Sequence, residues 1–305
     1  MRKIGLSLWV GLVLLTGCDP KNSESVTIYC AQDQVYAEPI FQKFTRQTGI
    51  EVKAVFDSEA VKTVGIANRL LAEQSRPIAD LFWGNEEFRT RQLASRHMFD
   101  PMHSWSPIGY RNRCLVVNTQ RVEAAKVPRS ILELTNAEWS GRVAIASPLF
   151  GSTSTHFHLL RQHWGESNWF SWCQALLRNR VRVVEGNSQV VQAVERGQSD
   201  LGLTDTDDVL AAQRNQSPVA CGPWGEEYSP LANTVGLIRN CPHPQHALKL
   251  LDYLRSDEVR RELIQSGALE DGSTSWGKPR ELPWDAVLRD QERTTQSLRE
   301  LFEGM

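Results

Sequence analysis

Past its first fifteen residues, the 305-residue chain has no apolar run long enough to span a bilayer, which takes about 20 residues. It also lacks a basic block. Its 34 Lys and Arg face 36 Asp and Glu, a formal net charge of −2, which argues against a nucleic-acid partner. No CxxC pair occurs. Beyond Cys18 the cysteines are Cys30, Cys114, Cys173, Cys221 and Cys241, an odd and scattered set that excludes a metal knuckle. An oxidising compartment would allow a Cys221–Cys241 bridge, with buried free thiols the equal alternative. Neither GxSxG nor HExxH is present, and no nucleophile has an evident base. There is no internal repeat and no low-complexity segment.

What is present begins at the N-terminus. Arg2 and Lys3 precede an uncharged apolar run over 4–15, too short for a comfortable span and therefore read as an export signal. It ends in "LTGC", which resembles the lipobox of bacterial lipoproteins. That resemblance implies a signal peptide over 1–17 and lipidation of Cys18, which becomes the new N-terminus; an ordinary signal peptide is the alternative. Asp19 after the cysteine implies retention at the periplasmic face of the inner membrane if the cell is Gram-negative. Residues 18–25 read as a polar tether. Cleavage removes Arg2 and Lys3 and takes the net charge from −2 to −4. The remaining length suits one large domain or two lobes.

From Ser25 onward, strand and helix patterns alternate. "SVTIYC", "IEVKAVF", "ADLFWG", "CLVVNT", "RVAIAS", "VRVVEG", "LGLT" and "TVGLI" are β-rich, and most lead into a stretch with helical apolar spacing. Ser58 is placed to cap the helix over 59–74, and one charged amphipathic helix is predicted from Trp284 to Phe302. Regular exchange of strand and helix implies an α/β fold with parallel sheets, which bind ligands beyond the carboxyl ends of their strands.

Several of these stretches resemble one family in order and spacing. "VTIYCAQDQVYAEPIFQKFTRQTGIEVKAVFD", "ADLFWGNEEFRTRQL", "GRVAIASPLFGSTSTHF", "GNSQVVQAVERGQSDLGLTDTDD" and "NTVGLIRNCPHPQHALKLLDYLRSDEVRREL" resemble the type II extracellular solute-binding proteins of ABC importers, in the ferric-ion-binding branch. The likeness runs from Val26 to Leu263. It implies an α/β, two-lobed periplasmic-binding-protein fold, each lobe a mainly parallel sheet flanked by helices. Two hinge strands near "CLVVNT" and "NTVGLI" would join the lobes. Lobe one is then 26–113 with 238–276, lobe two 114–237, and 277–305 a C-terminal helical segment. It further implies a non-enzymatic, monomeric carrier whose partners are a permease and an ATPase, with no catalytic cofactor and a metal ion such as iron(III) as cargo.

Members of that branch hold the metal with oxygen-rich side chains on strand-end loops, commonly including a tyrosine pair. By the resemblance, Asp33 falls where relatives often carry a histidine, and Asn85 or Glu86 where they carry a glutamate. The tyrosine pair falls at Asp207 and Asp208 and is absent. Asp33, Glu86, Asp205, Asp207 and Asp208 remain as cation ligands. Carboxylates suit hard cations, and would equally hold an ammonium group. The plainer reading of "TDTDD" is a helix start, capped by Thr204 or Asp205, with Asp207 and Asp208 opposing the helix dipole. "FGSTSTH" opens another helix with glycine and hydroxyls. Ser152, Thr153 and Ser154 are candidate anion ligands there, with Arg111 or Arg113 as counter-charge, or else simple caps.

Trp83 ends the third strand beside the expected cleft and could stack on a ligand cation. In "HFHLLRQH", His156 and His163 share a face while His158 points away, so a three-histidine site is not expected and the helix reads as a surface one. Two further functions stay open: capture of an organic cation such as an aminophosphonate or polyamine, and, more distantly, metal-dependent hydrolysis by a secreted enzyme.

Overall fold

The computed structural model describes residues 24–56, 62–223, 227, 229–271 and 282–303. The signal peptide, Cys18, most of the tether and Ser58 lie outside them. The elements in chain order are β1 (Ser25–Cys30), α1 (Gln34–Thr48), β2 (Glu51–Phe56), α2 (Lys62–Ala72), β3 (Leu81–Gly84), α3 (Glu87–Ser95) and β4 (Trp105–Asn118). After short 3-10 turns between 124 and 139 come β5 (Val143–Ala146), α4 (Gly151–Trp164), α5 (Glu166–Arg178), β6 (Arg182–Val184), α6 (Asn187–Glu195), β7 (Leu201–Asp205), α7 (Thr206–Arg214) and β8 (Val219–Cys221). β9 (Pro230–Leu237), α8 (Pro244–Leu254), α9 (Asp257–Ser266), α10 (Trp284–Arg289) and α11 (Gln291–Phe302) complete the chain.

The strands run in the order β2-β1-β3-β9-β4-β7-β5-β6, with β8 also on β4. β4 makes this one path through two sheets. Its first half, Trp105 to Asn112, pairs antiparallel with β9, and its second half, Arg113 to Val117, with β7. The chain therefore passes between lobes at Asn112 and Arg113, one residue ahead of "CLVVNT". β9 pairs with β3 and the first half of β4 along its whole length, so it lies in lobe one. The return crossing precedes Pro230, and the expected lobe boundary at 237 moves back accordingly.

Strand alternation explains why both sheets are covered on both faces. Val26, Ile28 and Cys30 of β1 enter the core under α1 and α8, while Tyr29 enters the one under α2. In lobe two, Leu115 and Val117 face α4 and α5, while Cys114 and Val116 face α6. Strands buried on both faces read as unbroken apolar runs, which is how "CLVV" and "VAIA" looked. Gly49 closes α1 in the left-handed region (φ 75°), its N–H on the Thr45 carbonyl at 2.9 Å.

Two expectations are corrected here. The C-terminal segment is two helices, interrupted at Asp290, whose carboxylate accepts from Arg161 Nη1 at 3.1 Å and Gln162 Nε2 at 2.9 Å. α11 sends Leu298 and Phe302 into the lobe-two core. α10 packs Trp284 and Val287 against both Phe88 of α3 and Leu159 of α4, touching each lobe. No Cys221–Cys241 bridge forms, and none of the five described cysteines is in a disulfide, the buried-thiol alternative. Cys221 sits beside Cys114 in lobe two, whereas Cys241 packs against the lobe-one core.

Candidate functional site

The carboxyl ends of β1, β3, β5, β6 and β7 meet between the lobes and enclose a polar cavity of about 60 Å³. Lobe one supplies Asp33, Asn85 and, from the first half of β4, Arg111. Lobe two supplies Ser152, Thr153 and Asn187 with the carboxylates Glu185, Asp205, Asp207 and Asp208. Asp33 precedes α1 and uses its carbonyl, not its side chain, to start that helix. At the mouth of α4, Phe150 is extended and Gly151 takes φ 54°, a conformation glycine reaches without strain. This places Ser152 and Thr153 on the cavity wall. Ser154, one residue on, is buried outside the lining.

The three aspartates of "TDTDD" have separate roles, although their carboxylate oxygens lie within 4.8 Å of one another. Asp205 is sealed into a network. It accepts from Arg113 Nη1 at 2.6 Å, Arg111 Nε at 3.2 Å, Ser152 Oγ at 2.7 Å and Asn187 Nδ2 at 3.1 Å. Burial opposes its charge, but the guanidiniums of Arg113 and Arg111 win and hold it below the usual carboxylate range. It stands at the N-cap position of α7 yet makes no capping bond, so the capping expectation fails on geometry. Two arginines outcompete one amide.

Asp207 is buried and poorly served. Its Oδ1 accepts no hydrogen bond, and the nearest charge is Arg111 Nε at 3.5 Å. Burial raises it to about 6, Arg111 opposing and Asp205 adding to the rise. A buried carboxylate oxygen without a donor is costly, and a cation is what would satisfy it. Asp208 is half-buried at the rim, within reach of Thr204 Oγ1 at 3.4 Å. Across the cleft, the phenol of Tyr36 is pushed up by burial and then by the fields of Asp207 and Asp208.

Residues 26–268 match the family described as bacterial extracellular solute-binding protein. The chain belongs to that family. The solute-binding protein is 28% identical over 198 residues to the Fe(3+)-binding periplasmic protein of Serratia marcescens, a match covering 59% of this chain and 56% of that one, a little over half its length. Iron-bound HitA from Pseudomonas aeruginosa superposes with a TM-score of 0.80 at 19% identity, covering 92% of this chain and 99% of that one. AfuA from Actinobacillus pleuropneumoniae, solved with exogenous fructose-6-phosphate bound, superposes with a TM-score of 0.78 at 16% identity, covering 92% and 99%. These likenesses establish the two-lobed α/β fold. That one fold carries iron in one structure and a sugar phosphate in another means the ligand must be argued from the site.

Not all the expected site residues of the solute-binding protein reach the cavity. Glu86 is buried away from it. Its carboxylate accepts from the Phe88 amide at 2.6 Å, the Arg89 amide at 3.1 Å and Thr155 Oγ1 of the other lobe at 2.8 Å. It caps α3 and ties the lobes together. Arg113 is likewise beneath the wall, bonded to Asp205, Ser152 and Asn187. Arg111 lines the cavity but spends itself on Asp205 and the Asn85 carbonyl, while Arg113, whose Nε and Nη2 make no hydrogen bond, lies outside the lining.

Trp83 is fully buried, edge-on to Phe41 at 5.7 Å, with its indole N–H on Asn233 Oδ1, so it stacks on no ligand. Trp83→Phe is expected to leave cation affinity unchanged and to cost about 1–3 kcal/mol, since Asn233 Oδ1 loses its donor. Denaturant unfolding beside a cation titration measures both.

α4 is not a surface helix. His156 and His158 are fully buried, bonded to the Glu227 and Ser154 carbonyls. Burial lowers them to about 3 and about 4, so they are neutral.

Sequence reasoning missed Asn187, Gly186 and Glu185. They follow β6 at its carboxyl end, the position the strand-end rule marks, but nothing in "VEGN" by itself suggests a ligand.

Proposed function

We propose that the protein is the substrate-binding component of an ABC importer, capturing a hard cation, iron(III) foremost, between its lobes and delivering it to a permease driven by an ATPase. The observation that carries this reading is Asp207, whose buried, undonated carboxylate oxygen borders a cavity shared with Asp33 and Asp208. Oxygen donors of this kind suit Fe³⁺, Mn²⁺, Mg²⁺ or Ca²⁺ over soft metals. Ser152, Thr153 and the amides at the start of α4 would seat a small co-bound anion beside the aspartates. The relatives named for ferric iron support the choice of cargo. The absence of tyrosine at 207 and 208 predicts weaker ferric selectivity than a phenolate pair would confer. Carboxylates contributed by both lobes would favour the closed arrangement once bridged by cation.

The room available, about 60 Å³, is that of roughly four to six water molecules. So small and polar a space favours an ion with a small anion over a longer organic cation. The chain is read as a monomeric carrier without catalysis, held at the membrane through lipid on Cys18 and facing the periplasm.

The test is a titration of the lipid-free mature protein with Fe³⁺, Mn²⁺, Ca²⁺, Zn²⁺, 2-aminoethylphosphonate and spermidine, followed by tryptophan fluorescence and melting temperature. A hard cation at a hundred times its Kd should add about 2.7 kcal/mol of stability. A shift with an amine and none with any metal would overturn the metal reading.

A further inference from the structure

A second cavity, about 590 Å³, lies past Phe150, which contributes to the walls of both. One wall is lobe one, with Arg89, Gln92 and Arg96 along one face of α3. The facing wall is α11 of lobe two, with Arg293 and Arg299. The volume falls in the range of small-molecule sites, and an order of magnitude above the first cavity.

The charges on the two walls are in different states. On α11, Arg293 pairs with Glu166 at 2.7 Å and Arg299 with Glu303 at 3.8 Å. On α3, Arg89 makes one side-chain hydrogen bond, Nη1 to Gln92 Oε1 at 2.9 Å, and Arg96 makes no ion pair among the described residues. Arg89 lies over the Phe88 ring at 4.9 Å, so its fork is held in place. Burial depresses its pKa, opposed by the field of Glu86, a carboxylate whose hydrogen bonds go to the Phe88 and Arg89 amides and to Thr155 rather than to the guanidinium. A guanidinium presents parallel N–H donors that match a carboxylate, and Leu149 and Phe150 offer apolar surface for a carbon chain. Glu292 and Glu303 also border the cavity on the α11 side, so the guanidiniums without an ion pair among the described residues are those of Arg89 and Arg96 on the lobe-one wall.

We infer that this second cavity binds a small polycarboxylate, one carboxylate on Arg89 and another reaching Arg96 or the α11 wall. Such a ligand would lie across both lobes, and its site shares only Phe150 with the cation cavity. The inference does not depend on the identity of the cargo.

The probe is tricarballylate, titrated calorimetrically into the metal-free mature protein, with spermidine as a cationic control. Saturable binding is expected for tricarballylate and none for spermidine. Arg89→Gln and Arg96→Gln should each weaken it by about tenfold or more. Arg89→Lys, which keeps charge but loses the fork, should fall between. Ser152→Ala, which alters only the first cavity, should leave it unchanged. Circular dichroism and melting temperature establish that each variant is folded. Absence of saturable binding in the millimolar range overturns the inference. So does a folded Arg89→Gln protein that binds as tightly as wild type, or loss of binding in Ser152→Ala alone.

Discussion

Asp207→Asn is expected to remove cation binding and, in the same protein, to raise the stability of the metal-free state. Loss of an anionic ligand should weaken the cation by more than about a hundredfold, since merely disturbing a group that orients a ligand costs 10–100-fold. The stability gain follows from linkage. The folded chain holds the Asp207 proton up to about pH 6, while an unfolded aspartate releases it near 3.8. A folded pKa raised above the unfolded one contributes stability that is present below the unfolded value and is lost as pH rises through about 6. At pH 7 wild type bears the cost of a buried carboxylate, and asparagine, neutral at every pH, does not. Two units correspond to at most about 3 kcal/mol, or several degrees in Tm for a chain of this size. Thermal unfolding from pH 4.5 to 7.5 should show the gap between variant and wild type opening with pH. A variant that still binds cation, or that melts below wild type at pH 7, would sink the assignment.

Asp205→Ala should do the reverse, damaging the fold first. It removes the shared partner of two buried guanidiniums, Arg111 and Arg113, and breaks the bonds from Ser152 and Asn187. Removing one member of a buried ion pair costs about 3–5 kcal/mol, because the remaining charge is stranded. That is on the order of 10 °C in Tm. Its pH dependence has the opposite sign to that of Asp207. The Asp205 pKa is depressed, so its contribution is present above the unfolded value and disappears as pH falls through the folded one. Asp208→Asn, at the rim, should change stability by less than about 1 kcal/mol. If the three aspartates proved interchangeable in melting experiments, the division of labour between them would be wrong.

Much of the fold was legible before any coordinates. The β-rich runs predicted from Ser25 to Ile238 correspond to strands, because two-residue alternation and apolar runs reflect local geometry that tertiary contacts only reinforce. The gathering of Asp33, Asn85, Ser152, Thr153, Asp205, Asp207 and Asp208 at strand ends was legible through the same rule and the family likeness. Side-chain direction was not. Glu86 looked like a ligand, yet two amides and the Thr155 hydroxyl turn it inward. Trp83 looked like a cleft residue, yet it is claimed by Phe41 and Asn233. The histidines of α4 looked like surface residues because their polarity concealed a buried helix.

By itself, then, the sequence determined the α/β class, the order of elements and the placing of an acidic run at the end of β7. Local propensity and periodicity suffice for these. Only the tertiary structure decided what the acids do. Arg111 and Arg113 sit on one face of β4 because side chains two apart on a strand point the same way. They reach Asp205 because β4 pairs with β7 in a register that sets Arg113 directly opposite it, 92 residues away. That pairing neutralises one aspartate and leaves its neighbour Asp207 in the same low-dielectric wall, with one carboxylate oxygen that accepts no hydrogen bond. A difference of two positions along the chain thus separates a carboxylate held by two arginines from one whose Oδ1 borders the cavity without a hydrogen bond.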